Sequence, residues 1–296
     1  MTRMQARMLP DGRRLHLNDG PIDLIIGAEG QPDEVGRAYA AAHARFATIL
    51  DELCAELPLL RKPVGQAPPQ GAVARRMWFA TRPLSRHGFI TPMAAVAGSV
   101  AEEMLEAMCA AAPLTRAFVN NGGDIALHLA TRQHYDVGLV DRPDRPSLFS
   151  TARITAEDRV GGIATSGWRG RSFSLGIADA VTVLAGQSST ADAAATLIAN
   201  AVDLPGHAAV TRVPAASLQP DSDLGARAVT RAVGPLAPKE IAAALAAGVA
   251  FAETLVAERR IIAAALHLAG ETRMLGRIDA GSEGQEVPRL GRGDIP

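Results

Sequence analysis

RAFVNNGGDIALHL, residues Arg116–Leu129, holds two short strand-like runs around a polar turn. RAFVN (Arg116–Asn120) and IALHL (Ile125–Leu129) are rich in apolar residues, and Asn121-Gly122-Gly123-Asp124 between them has turn chemistry. This pattern predicts a hairpin and hence an antiparallel sheet. Outward from it, Asp136–Val140, Leu148–Ile154, Gly162–Ser166 and Ala180–Ala185 are further strand candidates. Arg14–Asn18 and Ile22–Ile26 flank Asn18-Asp19-Gly20-Pro21 as an early hairpin, and Arg260–Leu268 and Thr272–Leu275 flank Ala269-Gly270-Glu271 as a closing one. Apolar residues at three- and four-residue spacing predict helices from Pro32 to Leu57, Val73 to Ala80, Pro92 to Ala111, Ser189 to Val202 and Lys239 to Glu258. Pro92 suits the first turn of its helix. Loops are expected over Leu60–Gly71, Arg82–Pro92 and the proline- and aspartate-punctuated Leu204–Asp223. This order lacks the regular strand–helix alternation of a doubly wound parallel sheet, so the fold class is α+β with largely antiparallel sheets flanked by helices. Residues 1–278 are expected to form one domain, with 279–296 a polar, Gly-rich disordered tail.

Composition narrows the function. The chain has 296 residues, and 48% of them are hydrophobic, enough for a sizeable core. Thirty Lys and Arg against 31 Asp and Glu leave a net charge of −1, which disfavours a nucleic-acid binder or a protein held on an anionic membrane. Aromatics at 4% cannot form a broad base-stacking platform. Cys54 and Cys109 read as free thiols within helices, too few for a disulfide framework or a closed zinc site. The basic start, MTRMQARMLPDGRR, leads into no apolar signal region, and charges interrupt every apolar run. These features place the protein in the cytoplasm with no membrane span. The Ala-rich Lys239–Glu258 helix is a candidate for packing within the chain or between the subunits of a homo-oligomer.

Four segments carry candidate chemistry. In Asn120–Asp124 the paired glycines allow close backbone approach to a ligand, although a self-capped turn explains the segment on its own. Ile163–Ser172 (IATSGWRGRS) mixes glycines, hydroxyls and Arg169 and Arg171, a composition able to present amides and guanidinium groups to phosphate; a solvated loop explains it equally well. In Thr190–Thr196 (TADAAAT), Asp192 and Thr196 share one helix face across alanines. Two hard oxygen donors suit Mg²⁺; the plain structural alternative is an Asp near a helix start and a Thr bonded back to a carbonyl. In Thr91–Glu103 small residues favour close helix packing, and Glu102 and Glu103 read most simply as a solvated face. Of the seven histidines only His87, in a loop, merits testing as an acid or base. The GxSxG elbow, the GxGxxG fingerprint and the Walker A loop are all missing.

In order, Asn120-Asn121-Gly122-Gly123-Asp124, Ala164-Thr165-Ser166-Gly167 and Ala191-Asp192-Ala193-Ala194-Ala195-Thr196 resemble motifs of the FAD:protein FMN transferase superfamily, called ApbE-like. Asp179–Val183 also falls where that family carries a Val-Thr-Val strand. The resemblance covers roughly Thr91–Val202 well and the flanks loosely. It implies that Asp192 and Thr196 bind Mg²⁺, with the Ala164 carbonyl as a further ligand. It also implies that Asn120, Gly122, Gly123, Asp124, Thr165, Ser166 and Gly167 line a FAD site, with Arg169 beside it. The implied reaction moves FMN from FAD to a Ser or Thr of an acceptor flavoprotein and releases AMP. Asp192, Glu102 and His87 are the candidate catalytic groups. The family's Lys-Gly-Tyr-x-x-Asp segment corresponds to Ala97-Gly98-Ser99-Val100-Ala101-Glu102, without Lys or Tyr, and its His-x-x-Asp-Pro segment to Ser174–Asp179, without His or Pro. Those departures match the smaller cytoplasmic branch of the superfamily. They also keep two alternatives open: a non-catalytic flavin or nucleotide carrier, and another small-molecule enzyme on this scaffold using Glu102, Glu103 or His87.

Overall fold

Leu15 and Leu17, then Ile22, Leu24 and Ile26, recur at every second residue and are buried. That period of two turns one face of β2 (Leu15–Asp19) and β3 (Ile22–Glu29) inward as an antiparallel pair. The computed structural model describes residues 4–140 and 148–276. Within it, β1 (Gln5–Met8), β4 (Arg116–Asn121), β5 (Asp124–Leu129), β8 (Gly162–Ser166), β9 (Ala180–Ala185), β12 (Ala263–Leu268) and β13 (Glu271–Gly276) join β2 and β3 in one sheet. Its order is β1-β2-β3-β4-β5-β8-β9-β12-β13, and every neighbouring pair is antiparallel. The expected α+β class with antiparallel sheet is what the molecule has.

The helices lie on one face. α1 (Pro32–Leu60) packs on α3 (Val96–Ala111), which rests on β4 and β5; α4 (Ser188–Ala201) rests on β8 and β9, and α6 (Pro238–Ala257) on β12 and β13. α2 (Ala72–Thr81) packs beside α3 and α4. Between helices and sheet lies the main core, with Phe46, Met104 and Met108 among its largest side chains. The opposite face carries a smaller cluster, Leu127, Ile154, Val160, Ile163, Leu184 and Ala263. A ribbon of β6 (His134–Val140) and β7 (Leu148–Thr155) covers it, with Tyr135 and Val137 packed against the cluster.

Several elements depart from expectation. Pro92–Ala95 is a separate 3-10 turn, and α3 starts only at Val96, after Ala95 at φ −129° and ψ 14°. The break exposes the first amides of α3 to a partner outside the helix. β1 was not among the expected strands; all four of its residues are exposed, so no buried face leaves an alternating pattern in the sequence. β10 (Val210–Pro214) and β11 (Ala228–Val233) form a two-stranded ribbon, with the short α5 (Ala215–Leu218) between them, inside and beyond a region expected to be loop. β10 has no fully buried residue, so periodicity could not mark it. α6 also corrects the view that no run is long enough to cross a membrane: within its 20 residues a stretch of 18 reaches mean hydropathy 1.6, and by length and composition alone it could. Its many alanines raise the hydropathy, and the buried stripe of Ile241, Ala244, Leu245, Gly248, Ala252 and Leu255 packs within the fold. The expected tail over 279–296 lies outside the described residues.

Candidate functional site

The β4–β5 hairpin turns through Gly122 at φ +64° and Gly123 at φ +116°, a region that glycine adopts without a Cβ penalty. The Asn120 Oδ1 accepts the Gly123 N–H at 2.9 Å, so this side chain builds the turn. Asn121 points to the helix face and donates to the Ala97 carbonyl at 3.1 Å, tying the turn to the start of α3. Asp124 alternates with Ile125, which belongs to the outer cluster, and shares its side with Ala126 of the main core. Its carboxyl therefore faces the helices. Pairing between β5 and β8 ends at Ile125 and Ile163, and the Asp124 Oδ1 takes the next available amide, that of Thr165, at 3.2 Å.

At the end of β8, Ala164 is fully buried, and the Thr165 hydroxyl bonds that of Thr182 at 2.9 Å. A Cβ on Gly167 would sit 2.5 Å from the Asp179 carbonyl, so only glycine lets these backbones meet. Asp179 accepts hydrogen bonds from the Trp168 indole at 3.1 Å, the Arg169 Nε, and the Ala269 amide at 2.7 Å. Arg169 is thus held in an ion pair and stacked 4.4 Å from the Trp168 ring. Arg171 is the arginine nearer the glycine turn: its guanidinium lies 3.5 Å from where a Cβ of Gly122 would be.

Asp192 completes the group from α4. Its Oδ2 accepts the Gly98 N–H at 2.9 Å, at the start of α3, where a helix presents unpaired amides and partial positive charge. A Cβ on Gly98 would lie 2.4 Å from the Ser188 carbonyl and 3.0 Å from the Asp192 Cβ, so only glycine lets α3 and α4 come this close here. Asp192 also feels the charge of Asp124. Burial pushes the Asp124 carboxyl up to about 7 against the opposing Thr165 amide. Burial, then Asp124, raises Asp192 well above the carboxylate range against the Gly98 and Ala97 amides. Both residues remain partly exposed, so solvent reaches them.

Asp124 and Asp192 lie near enough for the charge of one to act on the other, and no Lys or Arg is paired to either among the described residues, so the pair favours a proton or a cation beside it. No third His, Cys, Asp or Glu joins them among those residues. The donor set fits Mg²⁺, which takes one or two carboxylates and completes its octahedron with phosphate oxygens and waters. Thr196 lies one turn along α4. Thr81 and Thr254 bond back to carbonyls four residues earlier, whereas Thr196 makes no such bond among the described residues.

The other candidates lie elsewhere or are otherwise engaged. Glu102 accepts from Arg76 at 2.9 Å and from the Ser189 amide and hydroxyl at 3.2 and 2.8 Å, capping the start of α4. Glu103 is bound by Arg45 and Arg76, each at 2.8 Å, rather than solvated. His87 faces Glu258 at the end of α6, at 3.2 Å, and packs on Phe251. A groove of about 1280 Å³ between the β1–β2 turn, the end of β3 and the start of α1, and one of about 40 Å³ against β9, β12 and β13, include no residue of the dicarboxylate group. Sequence reasoning missed the pairing of Asp124 with Asp192 as neighbouring carboxylates, and the Asp179 anchor. A signal for the first was the run of small residues before Glu102, which marks where α3 approaches another helix.

The chain is 38% identical over 181 residues to the UPF0280 protein MK0206 of Methanopyrus kandleri, covering 60% of this chain and 69% of that protein. It is 40% identical over 131 residues to a UPF0280 protein of Methanocella arvoryzae, covering 44% of this chain and 50% of that one. Among solved structures, the flavinyl transferase ApbE of Pseudomonas stutzeri in its apo form aligns over 92% of this chain and 93% of that one, with TM-score 0.43 and 11% identity. With a match to the family model described as AbpE bacteria over residues 6–274, this chain belongs to that family.

Proposed function

We propose that the seam between the Asn120–Asp124 turn, the end of β8 and α4 binds FAD with Mg²⁺, and that the chain transfers FMN from FAD to a Ser or Thr of an acceptor flavoprotein in the cytoplasm. The observation that carries this reading is the pair Asp124 and Asp192, which accept only backbone amides, those of Thr165 and Gly98, and have no cationic side chain paired to either among the described residues; burial raises both carboxyls accordingly. Membership of the AbpE bacteria family supports the flavin connection. Asp192, Asp124, Thr196 and the Ala164 carbonyl would hold the ion, which would withdraw charge from the diphosphate. The Gly122 and Gly123 backbone and the Thr165–Gly167 strand end would line the nucleotide, and Arg171, rather than the Asp179-bound Arg169, would meet a phosphate. In the reaction the acceptor oxygen bonds to the FMN phosphorus as the P–O bond to AMP breaks. The acceptor proton leaves to a base, and AMP departs with the bridging oxygen. Orientation of the acceptor and the diphosphate carries most of the catalytic task.

A second reading is a flavin or nucleotide carrier without transfer. It is favoured by the engagement of Glu102 with Arg76 and Ser189 and of His87 with Glu258, which holds both side chains away from the dicarboxylate pair. One experiment separates the two: incubate the protein with FAD, Mg²⁺ and candidate acceptors, then measure covalent flavin fluorescence in a denaturing gel and AMP release. Labelling that vanishes in Asp192→Asn supports transfer. FAD retention with neither labelling nor AMP favours the carrier, and absence of any FAD or FMN binding removes both.

A further inference from the structure

We infer that Glu102 is a positioning residue for Asp192, acting across the α3–α4 seam to set the carboxylate that takes the cation; this rests on the reading of Asp192 as a cation ligand.

The two helices meet through their first turns and run in opposite directions. Gly98 lies against Ser188 and Asp192, while Glu102, one turn further along α3, bonds Ser189 at the very start of α4. Each helix therefore receives at its first turn a carboxylate from the second turn of the other. Asp192 of α4 accepts the Gly98 amide of α3, and Glu102 of α3 accepts the Ser189 amide and hydroxyl of α4. Amides at a helix start have no partner within the helix, so this exchange satisfies donors on both sides.

The joint has little slack. A Cβ added at Gly98 would lie 2.4 Å from the Ser188 carbonyl, so the backbones of α3 and α4 already stand in close approach there. Its seat along the other direction is set by Glu102, whose second oxygen is fixed by Arg76 at 2.9 Å. Asp192 is three residues beyond Ser189 on a continuous helix, and a shift at Ser189 moves it as a rigid body. Outer groups that orient a ligating carboxylate change metal affinity without touching the metal. Glu103 is the internal control. It shares Arg76 with Glu102 and also binds Arg45, but its hydrogen bonds reach α1 and α2 and not α4.

The test uses the full chain with Mn²⁺ as a paramagnetic probe, following free Mn²⁺ by EPR and unfolding by heat. Glu102→Ala should weaken Mn²⁺ binding by about tenfold or more. Glu102→Gln, whose amide oxygen still accepts from Ser189, should restore affinity to within about threefold. Glu103→Ala should leave it unchanged while lowering the melting temperature. Where Glu102→Ala does not fold, Glu102→Asp, too short to reach Ser189, replaces it with the same expectation. Unchanged Mn²⁺ affinity in Glu102→Ala, or equal weakening in Glu103→Ala, overturns the inference while Asp192 stands as a ligand through the loss of binding in Asp192→Asn. Wild-type protein that takes up no Mn²⁺ overturns the cation reading and this inference together.

Discussion

Two pairs of carboxylates, Glu103 of α3 with Glu52 of α1 and Asp192 of α4 with Asp124 of β5, have surroundings that drive them in opposite directions. Glu103 is subject to burial, which raises a carboxyl, yet hydrogen bonds from Arg45 and Arg76 outweigh it and the group ends below its ordinary value. Glu52 is lowered as well, chiefly by its bond to Arg45. Asp124 and Asp192 are partly buried as well, but their partners are neutral amides and one another's charge, and both go up. The first group is electrostatically complete; the second is complete only with something added. The comparison teaches that burial alone does not mark a site. The mark is burial left uncompensated by the rest of the chain.

Gly98 is the seam between the two groups, and replacing it should have the largest effect. Gly98→Ala places a methyl 2.4 Å from the Ser188 carbonyl, which is backbone and cannot swing away. Overpacking of this kind costs about 3 kcal/mol. Urea unfolding should show that loss together with weakened Mn²⁺ binding, because α4 moves with Asp192. Stability within about 0.5 kcal/mol of wild type would mean the helices are not pressed together there.

Asp192→Asn attacks the incomplete group alone. Its amide oxygen still accepts from Gly98, so the cap survives and the charge goes. Divalent affinity should fall about 100-fold, equivalent to about 2.7 kcal/mol. Without metal, the same variant should be more stable than wild type above neutral pH, because Asp124 no longer faces a like charge. An affinity by isothermal titration equal to wild type would put the ion elsewhere.

The hairpins, the helices and the α+β class were legible because alternating and helical periods survive in segments that bury one face, as in Ile22–Ile26 and Ser189–Val202. The turn at Gly122 and the face shared by Asp192 and Thr196 were legible for the same local reason. Roles that depend on distant partners were not. Nothing near Glu102 in sequence announces Ser189, 87 positions away, and nothing near Arg169 distinguishes it from Arg171 until Asp179 is seen to hold one of them. The ribbon of β10 and β11 escaped because its strands bury too little to leave a period.

The pH dependence sharpens the contrast next. A raised carboxyl binds more protons in the folded chain than in the unfolded one. Its contribution is full below the unfolded value near 4 and is lost as pH rises through about 7 for Asp124. Glu103 and Glu52, being lowered, stabilise above the ordinary glutamate range and lose that contribution as pH falls through their folded values. Metal-free protein should therefore lose about 1–2 kcal/mol between pH 4.5 and 7.5, with partial exposure of both aspartates holding the figure well under the full shift. Saturating Mg²⁺ should cancel the loss, and Asp192→Asn should flatten it. Melting temperatures that rise through that window without metal would place the aspartates with the paired glutamates.

Thr196→Val gives the smallest effect and the most selective. The swap keeps the shape and removes only the hydroxyl. That hydroxyl makes no bond back to the α4 backbone among the described residues, so stability should stay within about 0.5 kcal/mol of wild type. A neutral oxygen contributes less to a hard dication than a carboxylate, so Mg²⁺ affinity should drop only about threefold to tenfold, roughly 0.7–1.4 kcal/mol. A loss of stability with unchanged affinity would instead assign the hydroxyl to helix packing, and α4 would then contribute one ligand to the ion rather than two.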